Sequence, residues 1–156
     1  MIKYFDDIIS PHIQDNLVKI LTPDHQHHGY PFFFNKNLTG DMKNDYEIGF
    51  GSDFFDNGGF INRFGDRLLT PLYCLLNSQN IILKEIVRGR LFLQLPLYGT
   101  QKPLPFSAHK DLKFPHYAAI YYITDSDGDT IFYDDNENEI NRISPKKGRI
   151  AFFDGN

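Results

Sequence analysis

Apolar positions along this chain change their period near residue 80. Before it they recur at helical spacing in two places. Ser10-Pro11 supplies an N-cap and a first-turn proline, and Ile13, Leu17, Ile20 and Leu21 then return to one face, which predicts a helix over about 10–21. Leu68, Leu69, Leu72, Leu75 and Leu76 predict a second helix over about 65–78, with Pro71 accommodated near its first turn. Between the two, Tyr30-Pro31-Phe32-Phe33-Phe34-Asn35 reads as a short aromatic strand stopped by turn-prone Asn35-Lys36-Asn37. Residues 40–60 are rich in Gly, Asp and Asn. They read as a long loop holding a strand near 46–51, with a turn at Asp56-Asn57-Gly58-Gly59. Loops of this kind often carry binding functions, so substrate contacts are expected around 30–64.

From residue 81 onward the pattern becomes short apolar runs between turn residues, which predicts strands over 81–87, 90–95, 117–124, 130–133, 139–143 and 149–153. Gly99, Asp127-Gly128, Asp135-Asn136 and Lys147-Gly148 punctuate them. A helical N-terminal part followed by closely spaced strands predicts an α+β domain with a barrel or sandwich. No internal repeat or low-complexity tract interrupts it.

Composition narrows the class. A chain of 156 residues suits one domain, and 41% hydrophobic with 15% aromatic residues, all Phe and Tyr, suits a strand-rich globular core. A net charge of -4 lacks the basic footprint that phosphate neutralisation requires, so no nucleic-acid partner is expected. The lone Cys74 cannot form an internal disulfide, and its neighbours Leu72, Tyr73, Leu75 and Leu76 place it on an apolar helix face. Asp6 and Asp7 stand where a signal peptide would need its apolar run, and no stretch approaches the roughly 18 apolar residues of a membrane span. The expectation is a soluble cytoplasmic protein with no membrane partner.

The sharpest chemical signal is His109-Lys110-Asp111. Alternate residues of an extended strand share a face, so one imidazole and one carboxylate can reach the same ion. That pair suits a non-haem Fe(II) site, whose facial triad takes two histidines and one carboxylate and leaves positions open. A bare His-x-Asp is also what a hydrogen-bonded surface pair looks like, and context decides between the two. Here the tripeptide is followed by Tyr117-Ala118-Ala119-Ile120-Tyr121-Tyr122-Ile123-Thr124, by Asp127-Gly128-Asp129-Thr130-Ile131-Phe132, and by Arg149-Ile150-Ala151-Phe152-Phe153-Asp154-Gly155. This order resembles the core of the Fe(II)/2-oxoglutarate-dependent oxygenases of the prolyl-4-hydroxylase-like branch, in their bacterial and bacteriophage forms. The resemblance covers about 85–156 well and the N-terminal part loosely.

The resemblance implies a single oxygenase domain over 1–156. Its fold would be a double-stranded β-helix of jelly-roll or cupin-like type, with a core over about 81–156. A helical support region over about 1–80 would pack on its major sheet. His109 and Asp111 would be iron ligands. Tyr122 would help hold the far carboxylate of 2-oxoglutarate, its other reading being a core aromatic on a strand. Gln94 would line the cosubstrate pocket if it faces inward. The cofactors implied are Fe(II) and 2-oxoglutarate, with ascorbate as an accessory. The reaction would be hydroxylation of a C–H bond, in a protein prolyl residue or a small molecule, with release of succinate and CO2.

One departure matters. The family's second histidine follows its Phe-Asp-Gly strand, and a basic residue for 2-oxoglutarate comes about ten residues later, whereas this sequence ends at Asn156. The family also closes its β-helix with eight strands, of which six are read here. The expectation is a domain incomplete at its C-terminal side and inactive alone; the alternative is a catalytically inactive β-helix binding module, or a fragment needing a partner chain. His116 and the group Asp24, His25, His27 and His28 are other conceivable ligands, expected instead at an exposed loop end and in a solvated loop. Asp125-x-Asp127-Gly128-Asp129 is no calcium loop, since Thr130 and Asn136 stand where Gly and Glu are needed, and it reads as a hairpin turn.

Overall fold

The computed structural model describes residues 1–22, 29–36, 38, 48–94 and 105–155. The chain opens with β1 (Ile2–Phe5) and then α1 (Pro11–Leu21), which begins at the Ser10-Pro11 signal. Leu17 of α1 is buried, as is Gln14, whose amide donates to Asp7 Oδ1 (3.0 Å) and the Ile9 carbonyl (3.1 Å). A buried side-chain amide is tolerable only with such partners. There follow β2 (Phe33–Asn35), β3 (Gly49–Asp56), β4 (Gly59–Phe60), α2 (Gly65–Leu68), α3 (Thr70–Ser78), β5 (Arg88–Gln94), β6 (Tyr117–Tyr121), β7 (Thr130–Tyr133), β8 (Glu139–Ile143) and β9 (Ile150–Asp154). Among the described residues no helix is long and apolar enough to cross a membrane.

The strands form antiparallel sheets in a mixed α+β architecture. One sheet has the order β1-β9-β6, so the N-terminal strand covers an edge of β9. A second is built on β3, which pairs with β5 on one side, and with β2 along its first half and β4 along its last residues on the other. β7 and β8 make a separate hairpin. Its turn is held by the Asp134 carboxylate, which accepts from the Asn136 amide (2.9 Å), the Asn138 amide (2.8 Å) and the Asn138 side chain (3.1 Å). The hairpin meets the first sheet where Phe132 packs edge-on against Phe153 at 4.9 Å.

The helices serve both larger sheets. Leu75 of α3 packs with Ile150 and Phe152 of β9, while Leu69, between α2 and α3, packs with Phe54 and Leu91 of the β3 sheet and with Tyr30, which precedes β2. Burying one apolar face of each antiparallel sheet leaves the other free to be polar.

Several expectations change. The 81–87 run forms no strand, and Ile82 is 89% exposed. The ladder explains it: β3 reverses at Asn57-Gly58 just after Asp56 pairs with Arg88, so among the described residues no strand pairs with 81–87. Conversely, the strand expected near 46–51 runs to Asp56 and is the centre of its sheet. The Asp56-Asn57-Gly58-Gly59 signal is a two-residue hairpin turn with φ of 48° at Asn57 and 77° at Gly58, the twist that favours adjacent strands. The aromatic strand shrinks to Phe33–Asn35 because Tyr30 turns into the core. β6 stops at Tyr121, and the segment at Asp127-Gly128 joins two different sheets instead of making a hairpin. β1 has no counterpart in the sequence reading. The turn expected at Gly99 lies outside the described residues.

Candidate metal centre

His109 and Asp111 do not share a face of a strand. They stand on irregular backbone between Pro105 and Pro115, neither of which has an amide for a ladder, and both side chains are exposed. The fold nevertheless brings them together, because Lys110 and its two neighbours line one groove of about 420 Å³. Its other wall is the open face of the β3 sheet. On β5, Arg88, Arg90 and Phe92 follow the alternation of a strand and all line the groove. Phe92 is opposite Gly51, and its ring lies over that position, within ordinary van der Waals distance of where a Cβ would stand. Phe33, Asn35 and Leu38, within the region expected to hold substrate contacts, complete the lining.

His109 Nδ1 lies 2.9 Å from the Ser107 carbonyl, which can only accept, so Nδ1 carries the proton and the Nε2 lone pair is left for another partner. A backbone carbonyl that sets the tautomer in this way is what a metal-binding imidazole requires. Asp111 is engaged differently. Its Oδ1 accepts from Arg88 Nη2 at 3.1 Å. Arg90 Nε donates to Asp53 Oδ1 at 2.9 Å across the ladder, and Lys110 Nζ lies 3.8 Å from Asp135. An imidazole and a carboxylate are the donor types of two members of a triad for a divalent cation, but Asp111 is held by Arg88, and Arg90 and Lys110 add positive charge to the same groove. Among the described residues no group of three His, Cys, Asp or Glu side chains is placed to hold one.

Gln94 continues the alternation of Arg90 and Phe92, pairs with Gly49 and is exposed, but it does not line the groove. Tyr122 is also outside it. The Tyr122 hydroxyl shares a hydrogen bond of 2.6 Å with Thr130 Oγ1, and burial pushes its phenol up, against the pull of Thr130 and Arg149. His116 is not at an exposed loop end. Its ring packs against Gly155 at the end of β9, Nδ1 donates to the Phe114 carbonyl (2.9 Å), and Nε2 is buried without a hydrogen-bond partner among the described residues. The antiparallel register explains this, since Tyr117 pairs with Asp154 and so puts the preceding His116 beside Gly155. Asp24, His25, His27 and His28 lie outside the described residues.

Arg88, Arg90 and Asp53 are groove residues that the sequence reading missed. The alternation Arg88-x-Arg90-x-Phe92 is a visible signal for one amphipathic strand face. Their carboxylate partners come from residues 23 and 37 positions away and leave no local signature. The chain matches no family model, no curated protein and no solved structure.

Proposed function

We propose that the chain is the core of an Fe(II)/2-oxoglutarate-dependent oxygenase of the prolyl-4-hydroxylase-like kind, its antiparallel sheets belonging to a double-stranded β-helix. The observation that carries this reading is the presence of His109 and Asp111 in one groove, with the Ser107 hydrogen bond leaving the imidazole Nε2 open. When bound, Fe(II) with 2-oxoglutarate would supply oxidation of an unactivated C–H bond by O2, one oxygen atom entering the product hydroxyl and the other the succinate formed with release of CO2. His109 and Asp111 hold the metal, and a further histidine with a basic residue completes the set in the pattern the sequence resembles. In the pattern the sequence resembles, Tyr122 would donate to the cosubstrate's far carboxylate; here it lies outside the groove of His109 and Asp111, its hydroxyl bonded to Thr130. Phe33 and Phe92 offer an apolar wall to the substrate, a prolyl residue of a protein or a small molecule.

The test is succinate formation by the full product of the gene. It should require both Fe(II) and 2-oxoglutarate and be abolished in His109→Ala. Unchanged turnover in that variant would rule out the ligand. A second reading, a binding module without catalysis, is favoured by one observation: Arg88 already neutralises Asp111. That reading requires the full product to release no succinate under any loading.

A further inference from the structure

We infer that the run 81–87 is an interface strand: two copies of this chain pair there, antiparallel about a two-fold axis, with Lys84 of each copy opposite Glu85 of the other. The inference is independent of the reading of His109 and Asp111.

The run leads directly into β5 without a turn or bend, and its sequence Ile81-Ile82-Leu83-Lys84-Glu85-Ile86-Val87 is rich in the β-branched residues that suit a sheet. Among the described residues it belongs to no ladder. Ile81, Ile82, Leu83 and Val87 are all exposed, whereas Ile86 packs against the core of the β3 sheet and anchors the run to the fold. A strand-forming segment with unpaired amides and carbonyls is a template for another strand.

The order of its residues selects the occupant. Apolar residues flank a central Lys84-Glu85 on both sides, so the run is complementary to itself when reversed, as a two-fold interface requires. With Lys84 opposite Glu85 of the other copy, Leu83 stands opposite Ile86 and Ile82 opposite Val87. Residues directly opposed across an antiparallel pair share a face, so each face of the ribbon would carry one Lys–Glu pair between apolar pairs. Charge also fixes the register. A slip of one residue sets Lys84 against Lys84, or Glu85 against Glu85, and a parallel pairing about a two-fold axis opposes like charges as well. Lys84 and Glu85 are both exposed and, among the described residues, take part in no ion pair of their own chain.

The experiment is sedimentation equilibrium of the full product of the gene, with amide hydrogen exchange read at low and high protein concentration. A contact of this size stands at the small end of specific interfaces, so a dimer with a dissociation constant in the micromolar range is expected. Exchange across 82–87 should slow as the dimer fills. Lys84→Glu and Glu85→Lys each replace two attractive pairs by two repulsive ones, and each should weaken the dimer about tenfold. The double variant Lys84→Glu/Glu85→Lys restores unlike pairs and should return to within about threefold of wild type. All three change exposed side chains, and circular dichroism checks that each variant is folded. Ile82→Lys, which removes an apolar pair from each face, should weaken the dimer with no rescue by the charge swap. A double variant as weak as the single ones would overturn the register. A dimer indifferent to every one of these substitutions would overturn the interface, and a monomer at all concentrations with unchanged exchange across 82–87 would overturn self-pairing and leave the run to a strand of another protein.

Discussion

Tyr121 has a hydroxyl buried without a hydrogen-bond partner among the described residues, and burial, with the charge of Asp7 behind it, pushes the phenol from 10.0 up to about 12. The folded state therefore favours the protonated phenol. That contribution is fully present below pH 10 and is lost as pH rises through about 12. Tyr121→Phe should flatten the loss of stability over this alkaline window. At pH 7 it should leave stability unchanged or raise it by about 1 kcal/mol, since it removes an unsatisfied polar atom. Urea denaturation at pH 7, 10 and 11 measures both effects. Asp6 shows the opposite sign. Arg149 grips its carboxylate through two nitrogens, at 2.7 and 3.0 Å, Lys146 adds a contact at 3.3 Å, and the Arg149 hydrogen bond leads in holding Asp6 below the ordinary range. Its contribution exists above the unfolded value of about 3.9 and disappears as pH falls through the folded one. Asp6→Asn should cost up to about 1 kcal/mol at pH 7, because solvent screens the pair, and progressively less as pH falls through the folded value. None of this could be read from the sequence, where Asp6 and Arg149 stand 143 positions apart.

At the scale of elements, β5 is shaped by a close approach at Gly89. A Cβ there would meet the buried Phe54 ring, with Cζ at 2.6 Å, beside the irregularity where the register shifts between Asp53 and Phe55. Gly89→Ala should destabilise by about 1–3 kcal/mol through overpacking, and the change should appear as a lower denaturation midpoint. The same substitution at Gly155 would drive a Cβ into His116 and should loosen the junction of β6 and β9, seen as faster amide exchange at the Gly155 bond to the His116 carbonyl. Strand existence was largely legible at this scale: 130–133 and 139–143 form as read, and 90–95 and 149–153 shift by a residue or two. Apolar alternation and turn residues are local properties, and the hairpins follow from them. The run at 81–87 was misread because β propensity is expressed only where a neighbouring strand offers its amides and carbonyls.

At the scale of the whole molecule, the helical segment between the sheets unites their two cores. Leu75 is completely buried against Ile150 and Phe152, so Leu75→Ala should cost about 2–5 kcal/mol, a large share of the stability of a domain this size. Ile150→Ala should cost a similar amount, and the double variant should lose less than the sum, because both truncations open the same cluster. Chemical denaturation of the three variants checks it. The candidate site divides along the same lines. His109-Lys110-Asp111 stood out in the sequence because residue type and spacing are local, and both His109 and Asp111 do line one groove. Their arrangement was not local: strand alternation was expected to bring them together, whereas a loop folded over the β3 sheet does so, with Arg88 and Arg90 supplied by β5. Sequence by itself determined the helices, most strands and the α+β class, and singled out His109 and Asp111, since each depends on periodicity or chemistry within a few residues. Tertiary structure alone decided that β1 covers β9, that His116 packs on Gly155, and that Arg88 holds Asp111. Each of those is a meeting of groups distant along the chain, chosen by what the fold leaves unpaired.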